Sequence, residues 1–215
     1  MDELALRKKI IATAIDMNAR GLNRGKSGNV SARFDDSFLV TPTGMAYESM
    51  QPVDIVAMTQ DGSARGPRLP SSEWRFHRDI YAARREVGAI VHAHSPFATS
   101  IACLGRDIPP FHYMIAVAGG KDIRCAAYAT FGTQQLSDHA LRALDGRKAC
   151  LLANHGMIAV GASLAAALAL AVEVEALAEQ YWRALQIGTP NVLSDVEMEI
   201  VLEKFRTYGQ PDAKR

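Results

Sequence analysis

The chain is poor in the features that announce a specialised class. It has only three cysteines in 215 residues, Cys103, Cys125 and Cys150, odd in number, far apart and in no Cys-X-X-Cys pair. That argues against a disulfide framework or a cysteine zinc site, and reduced thiols in a cytoplasmic protein are expected instead. The net charge is only +1, which leaves no field to attract nucleic acid or an anionic membrane. The longest apolar stretch, Ala162 to Val172, is too short to span a bilayer and is cut off by Glu173 and Glu175. The first residues, MDELALRKKIIATAIDM, place acids before bases and carry no apolar core with a cleavage site, so they read as an amphipathic helix and not a signal peptide. No Gly-X-Gly-X-X-Gly opens a helix after a strand, and no repeat, linker or low-complexity tract interrupts the chain. One domain, residues 1–215, is expected.

What is present is an ordinary globular composition, 48% apolar and 22% charged. Helical spacing of apolar residues predicts helices from Leu4 to about Asn18, from Ser71 to about Arg85, over Pro96–Leu104, from Thr133 to about Leu144, over Ser163–Gln186 and over Ser194–Phe205. Extended segments are expected at Asn29–Phe34 and Phe38–Thr41, paired as a hairpin, and at Asp54–Thr59, Ala89–Ala93, Cys125–Tyr128, Ala149–Ala153 and Ile158–Val160. Strands and helices mix without strict alternation. The expected class is α/β, a three-layer α-β-α arrangement with a mostly antiparallel central sheet flanked by helices.

Two short motifs carry chemistry. In VHAH, His92 and His94 stand two apart on an extended segment and project to one face, where both can reach one ion, while Val91 and Ala93 turn to the core. Alone this spacing is weak, because core or surface histidines often show it. In NHG, His155 ends a second apolar strand, and the following Gly156 permits tight backbone geometry and leaves space beside an imidazole. Three histidines at the ends of two buried strands suggest a metal tripod, for which zinc is suited. Glu73, in LPSSEWRFH, has two readings: an acid in a first helical turn that complements the helix dipole, or a metal ligand that doubles as a base. His77, His112 and His139 have no partner at ligand spacing and read as surface or hydrogen-bonded structural residues.

Three loops, GKSGN (25–29), TPTG (41–44) and PSS (70–72), offer small residues, hydroxyls and approachable amides. Each is an adequate turn by itself. Together with a metal tripod, and with Ser71-Ser72 at a helix N-terminus, they suggest a phosphorylated substrate. GKSGN lacks both the spacing and the helix of a P-loop, which disfavours a nucleotide.

The blocks GNVSARF, VTPTGM, LPSSEWRFH, VHAHS, FHYMIAVAGG, AYATFGT, NHGMIAVG and VLEKFRTYG, in this order, resemble the class II aldolase/adducin family. The resemblance runs from the first helix almost to the C-terminus. It implies zinc held by Glu73, His92, His94 and His155, and phosphate held by Gly28, Asn29, Thr43, Gly44, Ser71 and Ser72. It further implies that Tyr113 acts as an acid/base group in a neighbouring subunit's site. The mobile tail, about residues 206–215 and including Tyr208, would close over the substrate of a homotetramer with sites at subunit interfaces. The activity implied is reversible cleavage of a ketose 1-phosphate of the L-fuculose 1-phosphate type into dihydroxyacetone phosphate and a small aldehyde such as L-lactaldehyde. Action on 5-deoxyribulose or 5-methylthioribulose 1-phosphate is the alternative, because SPFATSIACLG after His94, and Asn154 before His155, depart from the fuculose pattern. An L-ribulose-5-phosphate 4-epimerase is a second alternative, disfavoured because no Asp or Glu lies between Phe111 and Gly120. A decarboxylase and a non-catalytic adducin-like binding module complete the field, the latter set low because every implied ligand is retained.

Overall fold

The computed structural model describes residues 2–206. Helix α1 (Glu3–Ala19) is capped by Asp2, whose side chain accepts from the Ala5 amide, and it buries Leu6, Ile10, Ala14 and Met17. There follow β1 (Asn29–Phe34), β2 (Ser37–Val40), β3 (Val56–Met58), the two-residue β4 (Ala64–Arg65), α2 (Trp74–Ala83), β5 (Ala89–Ala93) and α3 (Pro96–Ala102). The chain continues through a 3-10 helix at Tyr113–Ala118, β6 (Cys125–Ala126), α4 (Gln134–Ala143), β7 (Ala149–Leu152), β8 (Gly156–Gly161), α5 (Leu164–Ile187) and α6 (Asp195–Arg206).

The eight strands form one sheet in the order β4-β3-β2-β1-β5-β8-β7-β6. Among the described residues only the β6–β7 pair is parallel; the other pairs are antiparallel, in line with the mostly antiparallel sheet expected from the sequence. Because side chains alternate along a strand, each face of the sheet collects its own core. Val30, Ala32, Val91, Ala93, Leu151 and Ala159 pack with α1, α3 and α5. Phe38, Val40, Ile90, Cys150, Ile158 and Val160 pack with Phe76, Ile80 and Tyr81 of α2 and with Leu136 and Ala140 of α4. Each large aliphatic side chain so buried is worth about 1.5–3 kcal/mol, which is what holds the three layers together.

The sequence-based boundaries move where local chemistry competes with periodicity. Pro52–Asp54 is a 3-10 turn closed by a capping box between Gln51 and Asp54, so the strand expected from Asp54 begins at Val56. The helix expected from Ser71 begins at Trp74, with Glu73 at its cap position and making no capping bond with its side chain. That carboxylate is aimed elsewhere. Tyr208 and the rest of the expected tail beyond Arg206 lie outside the described residues.

Candidate metal centre and the loops around it

Strand β5 places His92 on the α2–α4 face of the sheet, and His94 follows at the strand's end. The β7–β8 hairpin delivers His155 through a tight turn in which Asn154 adopts the left-handed conformation (φ 56°), one that asparagine tolerates better than most residues. His92 pairs with Ile158 across β5–β8, so the two histidine-bearing strand ends meet side by side. A Cβ on Gly156 would lie 2.4 Å from the Ala93 carbonyl oxygen and 2.9 Å from His94 Cδ2. Only glycine lets β8 pass this close to the His94 ring. Gly28 has a similar role on the other side, where a Cβ would lie 2.7 Å from the His92 carbonyl oxygen.

The result is a group of four, Glu73, His92, His94 and His155, whose ligand atoms all lie within 4.8 Å of one another. The three imidazole centroids are 4.8–4.9 Å apart, each pair edge to face. His92 Nδ1 lies 2.9 Å from the Met157 carbonyl oxygen, which fixes the proton on that nitrogen and frees Nε2 for a cation. His92 Nε2 lies 3.0 Å from His94 Nε2 and 3.1 Å from Glu73 Oε2. Glu73 Oε1 is buried without a hydrogen bond of acceptable geometry, although His155 Nε2 is 3.1 Å away. An orphaned buried oxygen, and ring nitrogens turned toward each other, are what a shared cation would satisfy. The donor set of three nitrogens and one carboxylate fits zinc.

Electrostatics agree. Burial opposes ionisation of Glu73, but the imidazoles of His92 and His155 outweigh it and hold the carboxylate far below the usual range. Burial and the neighbouring His92 and His155 push His94 down to about 4, leaving its lone pair available at neutral pH.

The three loops converge beside this group. Pro42 bridges to Pro70, the Thr43 amide donates to the Leu69 carbonyl at 3.1 Å, and the Ser71 amide donates to the Thr41 carbonyl at 3.0 Å. Thr43-Gly44 and Ser71-Ser72 are therefore neighbours. Gly28 and Asn29 lie at the start of β1, which is tied to Thr41 through the Val30 amide. Asn29 directs its Nδ2 to Glu73 Oε2 at 2.9 Å; an amide nitrogen carries a second hydrogen, so this bond is compatible with a phosphate contact. A cleft of about 310 Å³ opens here, its lining including Ser27, Ser72, Glu73, His94 and His155 together with Tyr128, Phe131 and Asn154. A larger cavity lies between α1 and α5 and carries none of this chemistry.

Tyr113 is not among the side chains lining the cleft. It begins a 3-10 helix, is 50% exposed, and stacks on His112, with the Phe205 ring 6.4 Å away. Two residues missed as contributors support the site. His77 is fully buried and bonded to Ser31 and Asn29, and burial pushes it down to about 3. Glu175 of α5 accepts from Ser95 Oγ and from the Phe97 and Ala98 amides, pinning the chain directly after His94. Glu175 shares its helix with Glu173, Glu179 and Arg183, so no local signal singled it out. For His77 none existed at ligand spacing.

The family model described as Class II Aldolase and Adducin N-terminal domain matches residues 8–182. A Rhodospirillum rubrum protein, 5-methylthioribulose-1-phosphate/5-deoxyribulose-1-phosphate aldolase, is 61% identical over 96% of this chain and 93% of its own. L-fuculose phosphate aldolase of Escherichia coli K12 is 50% identical over 97% of this chain and 98% of its own. Among solved structures, an L-fuculose 1-phosphate aldolase superposes with a TM-score of 0.91 at 41% identity, over 94% of this chain and 96% of that one. Sequence match and fold together establish that this chain belongs to the class II aldolase and adducin N-terminal domain family.

Proposed function

We propose that this chain is a zinc-dependent aldolase that cleaves 5-methylthioribulose 1-phosphate or 5-deoxyribulose 1-phosphate into dihydroxyacetone phosphate and, respectively, methylthioacetaldehyde or acetaldehyde. Within the class II aldolases, the order of substrates read from the sequence is reversed by the Rhodospirillum rubrum relative, which is more similar to this chain than the fuculose enzymes. The observation that carries the reading is the meeting of four donor side chains beside a cleft whose lining includes Ser27 and Ser72 from two of the hydroxyl- and amide-rich loops. Its rim adds Tyr128 and Phe131, which are 59% and 65% exposed and would suit a methyl or methylthio end better than a further hydroxyl.

In this reading Ser71, Ser72, Thr43, Gly44, Gly28 and Asn29 hold the phosphate and set the distance from it to Glu73. Glu73, held in its ionised form, takes the C3 proton of dihydroxyacetone phosphate in the condensation direction, a role that requires its carboxylate to be released from the cation when substrate binds. Tyr113, contributed by a neighbouring subunit, gives a proton to the aldehyde oxygen, and in cleavage takes it back from the C4 hydroxyl. Glu73, His92, His94 and His155 would hold zinc, which when bound would supply Lewis-acid stabilisation of negative charge developing as the C3–C4 bond breaks. A homotetramer explains why Tyr113 stands exposed and outside its own chain's cleft. The whole of 1–215 acts in this reading as one such domain, in the cytoplasm. No helix among the described residues is long and apolar enough to cross a membrane.

The test is release of dihydroxyacetone phosphate from 5-methylthioribulose, 5-deoxyribulose and L-fuculose 1-phosphates, with L-ribulose 5-phosphate as the epimerase control. The first two should give the highest kcat/KM. A preference for L-fuculose 1-phosphate restores the order read from the sequence, and no release from any of the three rejects the aldolase.

A further inference from the structure

Four buried side chains join β1 to α2 in an unbroken file that ends on Glu73. Tyr81 OH lies 2.8 Å from Ser31 Oγ, Ser31 Oγ lies 2.7 Å from His77 Nδ1, and His77 Nε2 lies 2.5 Å from Asn29 Oδ1. Asn29 Nδ2 then donates to Glu73 Oε2. The sequence periodicity of β1 explains the placement: Asn29 and Ser31 share the α2 face, while Val30 and Ala32 face α1 and α5.

The chemistry of these groups permits one direction of donation. An ionised carboxylate only accepts, so Asn29 must turn its NH2 to Glu73 and its Oδ1 to His77. Oδ1 only accepts, so His77 must carry its proton on Nε2. The neutral ring then has its lone pair on Nδ1, which accepts from the Ser31 hydroxyl, and Ser31 in turn accepts from Tyr81. Every hydrogen in the file points toward Glu73, and bonds aligned in this way polarise one another.

We propose that His77 is a positioning residue for the reaction: its Nε2–H fixes the Asn29 amide so that Nδ2, and not Oδ1, faces the Glu73 carboxylate. Without that donor the amide is free to rotate and set an acceptor oxygen against a carboxylate oxygen. Glu73 would then lose the contact that orients the base. The proposal rests on the aldolase reading for the role of Glu73, but the hydrogen-bond direction does not depend on it.

Two substitutions of similar size and polarity separate this from plain satisfaction of a buried ring. In His77→Gln the side-chain amide reaches the Nε2 position and keeps a donor for Asn29. In His77→Asn it reaches only the Nδ1 position and keeps a partner for Ser31. With zinc-loaded enzyme, exchange of the C3 proton of dihydroxyacetone phosphate should fall about 10- to 100-fold in His77→Asn. The loss should fall on kcat and not KM, zinc content should be equal in both variants, and His77→Gln should stay at least several-fold faster. Imidazole-nitrogen NMR of the unsubstituted protein, labelled at histidine, should show His77 as the neutral Nε2–H tautomer. Equal losses in the two variants, a loss confined to KM, or an Nδ1–H or doubly protonated His77 would overturn the proposal. The spectrum decides even if a variant fails to fold. Unsubstituted enzyme with no C3 exchange would sink the aldolase reading, while the spectrum still judges the file.

Discussion

His92 Nε2 and His94 Nε2 face each other across 3.0 Å, with His92 Nδ1 committed to the Met157 carbonyl. Two ring nitrogens at this distance must share a proton or a cation. Removing either His92 or His155 by alanine substitution should therefore abolish stoichiometric zinc and most activity. Metal analysis of protein purified without chelator checks this, and full zinc occupancy in either variant would falsify the tripod.

Zinc binding should also depend on pH with a definite sign. Burial disfavours charge on His92, yet Glu73 beside it and the Met157 carbonyl raise its pKa above the ordinary 6.5. In metal-free protein this pair stabilises the fold fully below the ordinary histidine pKa, and the contribution fades as pH rises through the raised value. In zinc-loaded protein the trend reverses, because the metal needs the deprotonated ring. Tm measured against pH for both forms should diverge on going from pH 6 to pH 8, and parallel curves would count against His92 as a ligand.

Glu73→Gln and Tyr113→Phe should divide the reaction. Glutamine at position 73 remains acceptable at a helix start, but an amide is no base, so C3 proton exchange should collapse. Phenylalanine at the half-exposed position 113 should change stability by no more than about 0.5 kcal/mol. Cleavage should fall about 10²–10⁴-fold in Tyr113→Phe, and C3 exchange much less. Mixed oligomers of the two variants should recover part of the activity if Tyr113 serves a neighbouring cleft. No recovery from verified mixed oligomers would return Tyr113 to its own chain.

Gly156→Ala inserts a methyl 2.4 Å from the Ala93 carbonyl oxygen and 2.9 Å from the His94 ring. Overpacking of this kind costs about 1–3 kcal/mol. Here the strain falls on the strand end that carries two of the histidines, so zinc affinity should drop along with Tm. A variant with lowered Tm and unchanged zinc affinity would show that Gly156 serves the hairpin alone.

Helices were legible because their signal is local: apolar spacing located α1, α4 and α5 to within a residue or two. The buried strand Ala89–Ala93 was read at its observed limits. Short elements were legible only in part: β6 (Cys125–Ala126) was expected within Cys125–Tyr128, whereas β4 was not. The two-residue β4 exists only because Ala64 and Arg65 pair with Met58 and Ala57, and a pairing partner leaves no trace in so short a segment.

The sequence by itself determined that His92 and His94 share one face, since alternation along a strand is a property of the backbone. It also determined, through family resemblance, which four residues to gather. The tertiary structure alone decided that Thr43-Gly44 lies beside Ser71-Ser72, that Tyr113 stands outside the cleft, and that His77 reaches Asn29 and Ser31. His77 and its partners are more than forty positions apart. Their meeting depends on the register of β1 against β5 and on how α2 settles on the sheet, and both are set by packing between distant segments, which no local pattern encodes.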